Sequence, residues 1–176
     1  MDETKTHGRT AYDPVSAETI SSDGGQPRQW AEARMQLARA STYWLATVHR
    51  QGRPHLVPVL AVWVDGTLHF AASDTTRKAK NLATDPRCAV AVAGESLDLM
   101  VEGDAVKVHE EATLRRVAEK YASKYEWRVT VRDGAFHDTE GAPTAGPPPY
   151  EVYRVVPTMA FGFGTTEPAR STRWRF

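Results

Sequence analysis

Three β-type runs, YWLATVHR, HLVPVLAVWV and TLHFAA, follow one another between Tyr43 and Ala72. QGRP, a turn with Gly and Pro, separates the first two, and Asp65-Gly66, a strong hairpin signal, leads into the third. Connections this short leave no room for a crossover helix, so the runs are expected to pair as an antiparallel meander.

The rest of the chain adds strands and a few helices to that meander. RQWAEARMQLARAS puts Trp30, Arg34, Leu37 and Ala38 near helical spacing, and EEATLRRVAEKYASKYEW puts Leu114, Val117 and Tyr121 on one helix face. RCAVAVAG and LDLMVEGDAVKVH read as strands. In the second the apolar parity moves from odd (Leu97, Leu99, Val101) to even (Val106, Val108), which predicts a β-bulge beside Gly103 that bends the strand around a barrel. Residues 132–149, RDGAFHDTEGAPTAGPPP, predict a Gly/Pro-rich loop long enough to need a function, and YEVYRVV and MAFGFG predict closing strands. Six or seven antiparallel strands with helices inserted singly define an α+β fold built on a small closed barrel.

A chain of 176 residues that is 41% hydrophobic and 25% charged can bury one core, and two full domains would be cramped. Residues 1–27 are polar and turn-rich and are expected to form a flexible arm, leaving 28–176 as the domain. Twenty-two basic residues balance 22 acidic ones, so no global field recruits nucleic acid, and any anion site must be local. The single Cys88 allows no internal disulfide, fits a reducing compartment and reads as a buried structural thiol. The N-terminus has no apolar signal region and no apolar run approaches the length of a membrane span, so the expected location is cytoplasmic, without membrane contact.

Most self-contained chemistries find no support. The six histidines lack metal-ligand spacing, Ser73 has no partner base arguable from its neighbourhood, and neither GxSxG nor a Walker A motif is present. Two basic clusters remain. In FAASDTTRKAKNLATDP, Arg77, Lys78 and Lys80 open a short helix, where the helix dipole already favours anions over cations. Either these charges are merely solvated, or they join the hydroxyls of Ser73, Thr75 and Thr76 and the free helix N–H groups in a phosphate site. The second cluster, EPARSTRWRF, sets Arg170, Arg173 and Arg175 around Trp174. It reads as a frayed end or as an ordered tail able to anchor an interface or stack on a planar ligand, and the ordered tail is favoured.

Taken in order, LATVHRQGRPHLVPVLAVWVDGTLHFAASDTTRKAKNLATDPRCAVAV, VEGDAVKV and AFGFGTTEPARSTRWRF resemble the flavin/deazaflavin oxidoreductase superfamily, the proteins related to pyridoxamine 5′-phosphate oxidase. The resemblance implies a mainly antiparallel, six- to seven-stranded split β-barrel (the FMN-binding split barrel) with a few short helices. It also implies a homodimer with a flavin-type cofactor in each groove between protomers. Arg77 and Lys78 would hold the cofactor phosphate, and Ala72 and Ser73 would supply backbone and hydroxyl contacts. Val57, Pro58 and Val59 would face the tricyclic ring. Thr76, Lys80, Asn81, Arg173 and Trp174 complete the implied contact set. The TRWRF ending is similar to actinobacterial members that use coenzyme F-420, whose oligoglutamate tail would suit Lys80 and the C-terminal arginines. The implied activity is hydride transfer from F-420 to a small organic acceptor. FMN-dependent oxidase or reductase chemistry and non-catalytic flavin or haem binding are the alternatives on the same barrel. No catalytic side chain is assigned: His55 and Tyr43 are conceivable proton donors, each better explained by packing.

Overall fold

The computed structural model describes residues 10–22, 24–139, 141–142, 146–167 and 169–176. The elements run β1 (Ser16–Thr19), α1 (Trp30–Arg39), β2 (Tyr43–Val48), β3 (Pro54–Val59), β4 (Ala61–Val64), β5 (Thr67–Ala72), α2 (Arg77–Thr84), β6 (Arg87–Val92) and β7 (Leu97–Lys107). They continue through α3 (Glu111–Tyr125), β8 (Thr130–Arg132), β9 (Ala135–His137), β10 (Glu151–Gly164) and β11 (Ser171–Arg175). Every strand pair is antiparallel, and the main sheet runs β1-β11-β10-β7-β6-β2-β3, with β5 on β10 and β4 on β5. The expected α+β split barrel is the fold.

The barrel closes through one long strand and one sharp corner. β10 pairs with β7 from Tyr153 to Gly164, while its first residues, Glu151 to Arg154, pair with β5 and its last with β11. At the other end, Leu60 alone separates β3 from β4, so the run HLVPVLAVWV turns there from one edge of the sheet to the other. The backbone, not a β3–β4 ladder, spans that seam. The carbonyls freed at the corner are met by α3: Tyr121 Oη donates to Leu60 O at 2.8 Å, Tyr125 Oη to Ala61 O at 2.8 Å, and Lys124 Nζ to Ala61 O at 3.1 Å. Lys124 also donates to Tyr43 Oη at 2.8 Å and Ala38 O at 3.3 Å, which ties the end of α1 to the same corner.

Two apolar clusters follow from strand parity. Leu37, Leu45, Phe70, Val90, Leu99 and Trp174 fill the barrel, and Val62, Leu114, Val117, Tyr121, Phe136 and Tyr150 form a second core under α3. β5 faces both, and all six of its residues are buried. Its hairpin with β4 turns at Asp65 (φ 51°) and Gly66 (φ 86°), the left-handed pair that Asp-Gly accommodates.

Several expectations are corrected. Ser16–Thr19, expected within a flexible arm, form β1 against β11, and residues 1–9 lie outside the described residues. The parity of β7 does not slip: residues 97, 99, 101, 103 and 105 all face inward, and Val106 is exposed. The irregularity lies in the partner strand, where Pro157 pairs with Gly103 and Met159 with Glu102, leaving Thr158 as the extra residue. Gly103 permits this, since a Cβ there would run into the Val156 carbonyl. The segment expected as a continuous loop begins with the β8–β9 hairpin, turned at Asp133-Gly134.

Removing the corner hydroxyl in Tyr121→Phe leaves a buried carbonyl without its partner and should cost about 1–3 kcal/mol, read as a lower urea midpoint with an unchanged slope. His69 gives a second test. It is fully buried on β5, and burial, aided by the Arg154 guanidinium, pushes its pKa down from 6.5 to about 4. The unfolded chain therefore takes up a proton that the folded chain resists. Stability present above pH 6.5 should fall by roughly 3 kcal/mol as the pH drops toward 4, then level off. In His69→Leu that component of the urea-midpoint titration should vanish.

Candidate functional site

The turn from β5 into α2 uses its own hydroxyls. Thr76 Oγ1 donates to Ser73 O at 2.7 Å and accepts from Ala79 N at 3.4 Å, capping the helix, while Ser73 Oγ and Thr75 Oγ1 lie 3.0 Å apart. The chain before β10 lies over this turn: a Cβ on Gly146 would come 3.0 Å from Ser73 Cβ and 2.9 Å from Thr76 Cγ2. Asn81 is buried and donates to Thr47 Oγ1 at 2.9 Å, pinning α2 against β2. Lys78 is only 5% exposed, and burial lowers its pKa. Arg77 and Lys80 point outward.

Arg77 opens onto a cleft of about 350 Å³ whose other walls are His49, Gln51, Arg53, Pro54 and His55, at the tip of the β2–β3 hairpin. That tip is held by His49 N donating to Arg53 O at 2.8 Å and Gln51 N donating to His49 Nδ1 at 3.2 Å. No lining residue is acidic.

At Pro54 the cleft meets an apolar groove of about 480 Å³ formed by Ala46, Val48, Cys88 and Ala89, with Glu102 and Asp104 at its rim. A second hollow of about 470 Å³, lined by Trp44, Leu56, Ala91, Met100 and Phe163, continues along the same outer sheet face. Cross-strand pairing explains the continuity. Pro58, Trp44, Ala91, Met100 and Phe161 form one row across β3, β2, β6, β7 and β10, and Leu56, Ala46, Ala89 and Glu102 form the next. Trp44, Leu56 and Phe163 are 45%, 59% and 41% exposed, large values for such side chains side by side. Among the described residues β3 pairs only with β2, so its other edge presents backbone N–H and C=O groups beside this face.

The residues singled out in the sequence therefore separate. Arg77, Lys80 and Pro58 are exposed. Ala72, Ser73, Lys78, Asn81 and Val59 have buried side chains; Thr76 is committed to its cap, and Val57 packs partly against the barrel core. Trp174 is a correction: it is fully buried in its own barrel, 5.5 Å from the Trp30 ring, because alternation along β11 turns Thr172 and Trp174 inward. Arg173 points the other way and is held by Glu18 of β1 at 2.5 Å, with Arg175 3.3 Å from the same carboxylate. The tail is ordered as favoured, but these two arginines are paired within the chain. Tyr43 is likewise committed, donating to Leu37 O at 2.5 Å, and burial raises its pKa. His49, Arg53 and His55 were missed as a group. The Arg-Pro turn between two strands was their only signal, and its approach to α2 depends on the Thr47–Asn81 contact.

The chain belongs to the pyridoxamine 5′-phosphate oxidase family, whose N-terminal domain matches residues 30–160. Solved structures carry the same fold. A conserved hypothetical protein of Mycobacterium tuberculosis is 24% identical, with 84% of this chain and 85% of that one covered and a TM-score of 0.58. A FAD-binding protein of Mesorhizobium loti is 14% identical, with 92% and 98% covered and a TM-score of 0.56. A haem-binding protein of Mycobacterium smegmatis is 18% identical, with 84% and 58% covered and a TM-score of 0.62. No curated protein matches the chain.

The different burial of two neighbouring cations is testable without a ligand. Arg77→Ala should change folding stability by no more than about 0.5 kcal/mol, as expected of a solvated side chain, whereas Lys78→Ala should cost about 1–3 kcal/mol through lost packing. Chemical denaturation of both variants measures the difference.

Proposed function

We propose that the protein is a homodimeric oxidoreductase that binds a phosphate-bearing flavin-type cofactor on this face and reduces a small organic molecule, with F-420 the favoured cofactor. The observation that carries the reading is the meeting at Pro54 of a cleft bearing Arg77 with an apolar groove beside the free edge of β3. A phosphorylated tricyclic cofactor needs those three things: a cation for its phosphate, an apolar wall for its ring, and backbone groups for the ring's polar rim. The residues present fit such a group.

Within this reading Arg77 receives the phosphate. Pro58 and the exposed edge of β3 border the ring, and Ser73, Thr76 and Asn81 act indirectly by fixing the turn and helix that carry Arg77. The bound cofactor supplies two-electron hydride chemistry. The chain supplies binding, orientation and exclusion of water. Cys88 is no nucleophile: burial pushes its thiol up to about 12, so it stays protonated in the groove wall. A second copy laid on Trp44, Leu56 and Phe163 would cover the outer face and complete the groove. The F-420 preference rests on the resemblance of the C-terminal sequence, with Lys80 left as the outward cation of the proposed tail contacts. FMN-dependent chemistry is the runner-up. A non-catalytic haem- or flavin-binding role is a further alternative, favoured by the haem-binding neighbour of the same fold.

Absorbance and fluorescence of protein purified from an F-420-producing host should reveal a blue-fluorescing deazaflavin. Green flavin fluorescence would assign FMN, and a Soret band would assign haem. Arg77→Ala should weaken cofactor binding by roughly 1.5–3 kcal/mol in a fluorescence titration, the scale of a charge-assisted hydrogen bond. Light scattering should give twice the 19.5 kDa chain mass. Trp44→Arg, which places a charge in the covered face, should shift that mass toward the monomer.

A further inference from the structure

The cleft at the hairpin tip holds more cationic and hydrogen-bonding capacity than one phosphate uses. Its volume of about 350 Å³ is roughly ten times the share of one water molecule in the liquid. Arg77 stands on the α2 side, Arg53 and His49 come from the hairpin, and His55 lies between, its Nδ1 3.5 Å from Thr47 Oγ1. His49 Nδ1 accepts from Gln51 N, which leaves the ring's Nε2 as the nitrogen free to donate. Several arginines elsewhere face carboxylates: Arg87 meets Asp85 at 2.6 Å, Arg116 meets Asp65 at 2.6 Å and Arg173 meets Glu18 at 2.5 Å. Among the described residues Arg53 and Arg77 face none, and their cleft contains no acid. Two guanidinium groups and a histidine donor gathered in one concavity are suited to an extended anion.

We propose that this cleft binds a second anionic group of the cofactor, carried beyond the phosphate that Arg77 receives. The inference rests on the cofactor reading above and deepens it. The ligand enters with its ring on the apolar groove, passes Pro54 with its phosphate at Arg77, and extends toward Arg53 and His49. Cofactors whose phosphate is followed by another anion meet this requirement: the diphosphate of FAD, or the phosphodiester and carboxylate tail of F-420. FMN ends at its first phosphate and leaves Arg53 and His49 unused. The groups that receive the extension are thus Arg53 and His49 of the hairpin, not Arg173 and Arg175, which Glu18 occupies.

The test compares three cofactors on full-length protein freed of ligand by dialysis. FMN, FAD and F-420 are titrated by fluorescence into the unaltered chain, Arg77→Ala, Arg53→Gln and the double variant His49→Ala/Arg53→Ala. Melting temperatures check folding. The double variant should lose about tenfold or more in affinity for an extended cofactor, the scale of one charge-assisted hydrogen bond, while FMN affinity stays within about twofold. Arg53→Gln, which keeps most of the side-chain stem, should show the same selective loss if the double variant is destabilised. Selective loss for FAD names the diphosphate as the ligand, and selective loss for F-420 names the acidic tail. Equal loss for FMN and the extended cofactors would overturn the inference by making the cleft the site of the first phosphate. Unchanged affinity for all three in the hairpin variants would overturn it too, and if Arg77→Ala still weakens every cofactor, the cofactor reading survives alone. If the unaltered chain binds none of the three, the cofactor reading and this inference fall together.

Discussion

Where β3 becomes β4, the carbonyls of Leu60 and Ala61 turn out of the ladder and are met by Tyr121, Lys124 and Tyr125 of α3. Unmet, buried carbonyls at that corner would each cost on the order of 1–3 kcal/mol. The contacts therefore let a single residue carry the chain from one edge of the sheet to the other. Much else depends on that turn. It separates β3 from β4, leaving β3 with a free edge, and it sets β4 and β5 against α3, where Val62 and Tyr121 share the second core. Lys124 extends the same network to Tyr43 and to the end of α1. The region that supports the corner is one unit, and the candidate site lies on the sheet face beyond it.

That face has two unlike halves that meet at Pro54. Antiparallel sheets in water usually carry polar residues on their outer side. Here the outer rows hold Trp44, Ala91, Met100 and Phe161, with Leu56 beside them, and among the described residues the acids lie at the margin, as Asp98, Glu102 and Asp104. An apolar face of this kind is stabilised when something covers it. The cationic cleft is also incomplete alone, because its arginines face no carboxylate among the described residues. A covering protomer and an anionic aromatic ligand answer these two deficits separately, and their junction at Pro54 places both on one surface.

The hairpins were legible because their signals are local: Asp65-Gly66 adopts the left-handed pair of angles its residue types favour, and QGRP turns the chain between two strands. The two long helices were legible from apolar spacing. Side-chain direction was less legible where two readings share a period. Arg77 and Lys78 are adjacent cations, yet one faces solvent and the other is buried, since α2's orientation is set by the Asn81–Thr47 hydrogen bond between residues 34 apart. The hydroxyls of Ser73 and Thr76 carried the signal of a phosphate site and of a helix cap; Thr76 uses its own in the cap, and that of Ser73 meets Thr75. Trp174 could anchor a partner or fill a core, and only the pairing of β11 with both β1 and β10 turns it inward. The apparent parity slip in β7 came from Val106, an exposed apolar residue, and from Val108, which lies past the end of the strand; the bulge sits at Thr158 on the opposite strand, which no pattern within β7 could reveal.

Cations at the start of α2 are an electrostatic cost in the free chain. The first turn of that helix carries no acid, and Arg77 and Lys78 stand where the dipole is already positive, an arrangement that opposes helix stability by about 0.3–1 kcal/mol per exposed charge. Thr76 offsets part of it by capping, and Asn81 and Leu82 offset more by anchoring the helix to the barrel. The same fields that repel one another in the free protein add when an anion enters, because dipole, Arg77 and Arg53 all act on it with one sign. A helix secured by its buried face can carry a charge pattern unfavourable to itself. The rigid barrel thereby holds a concentrated positive field in a chain whose total charge is zero.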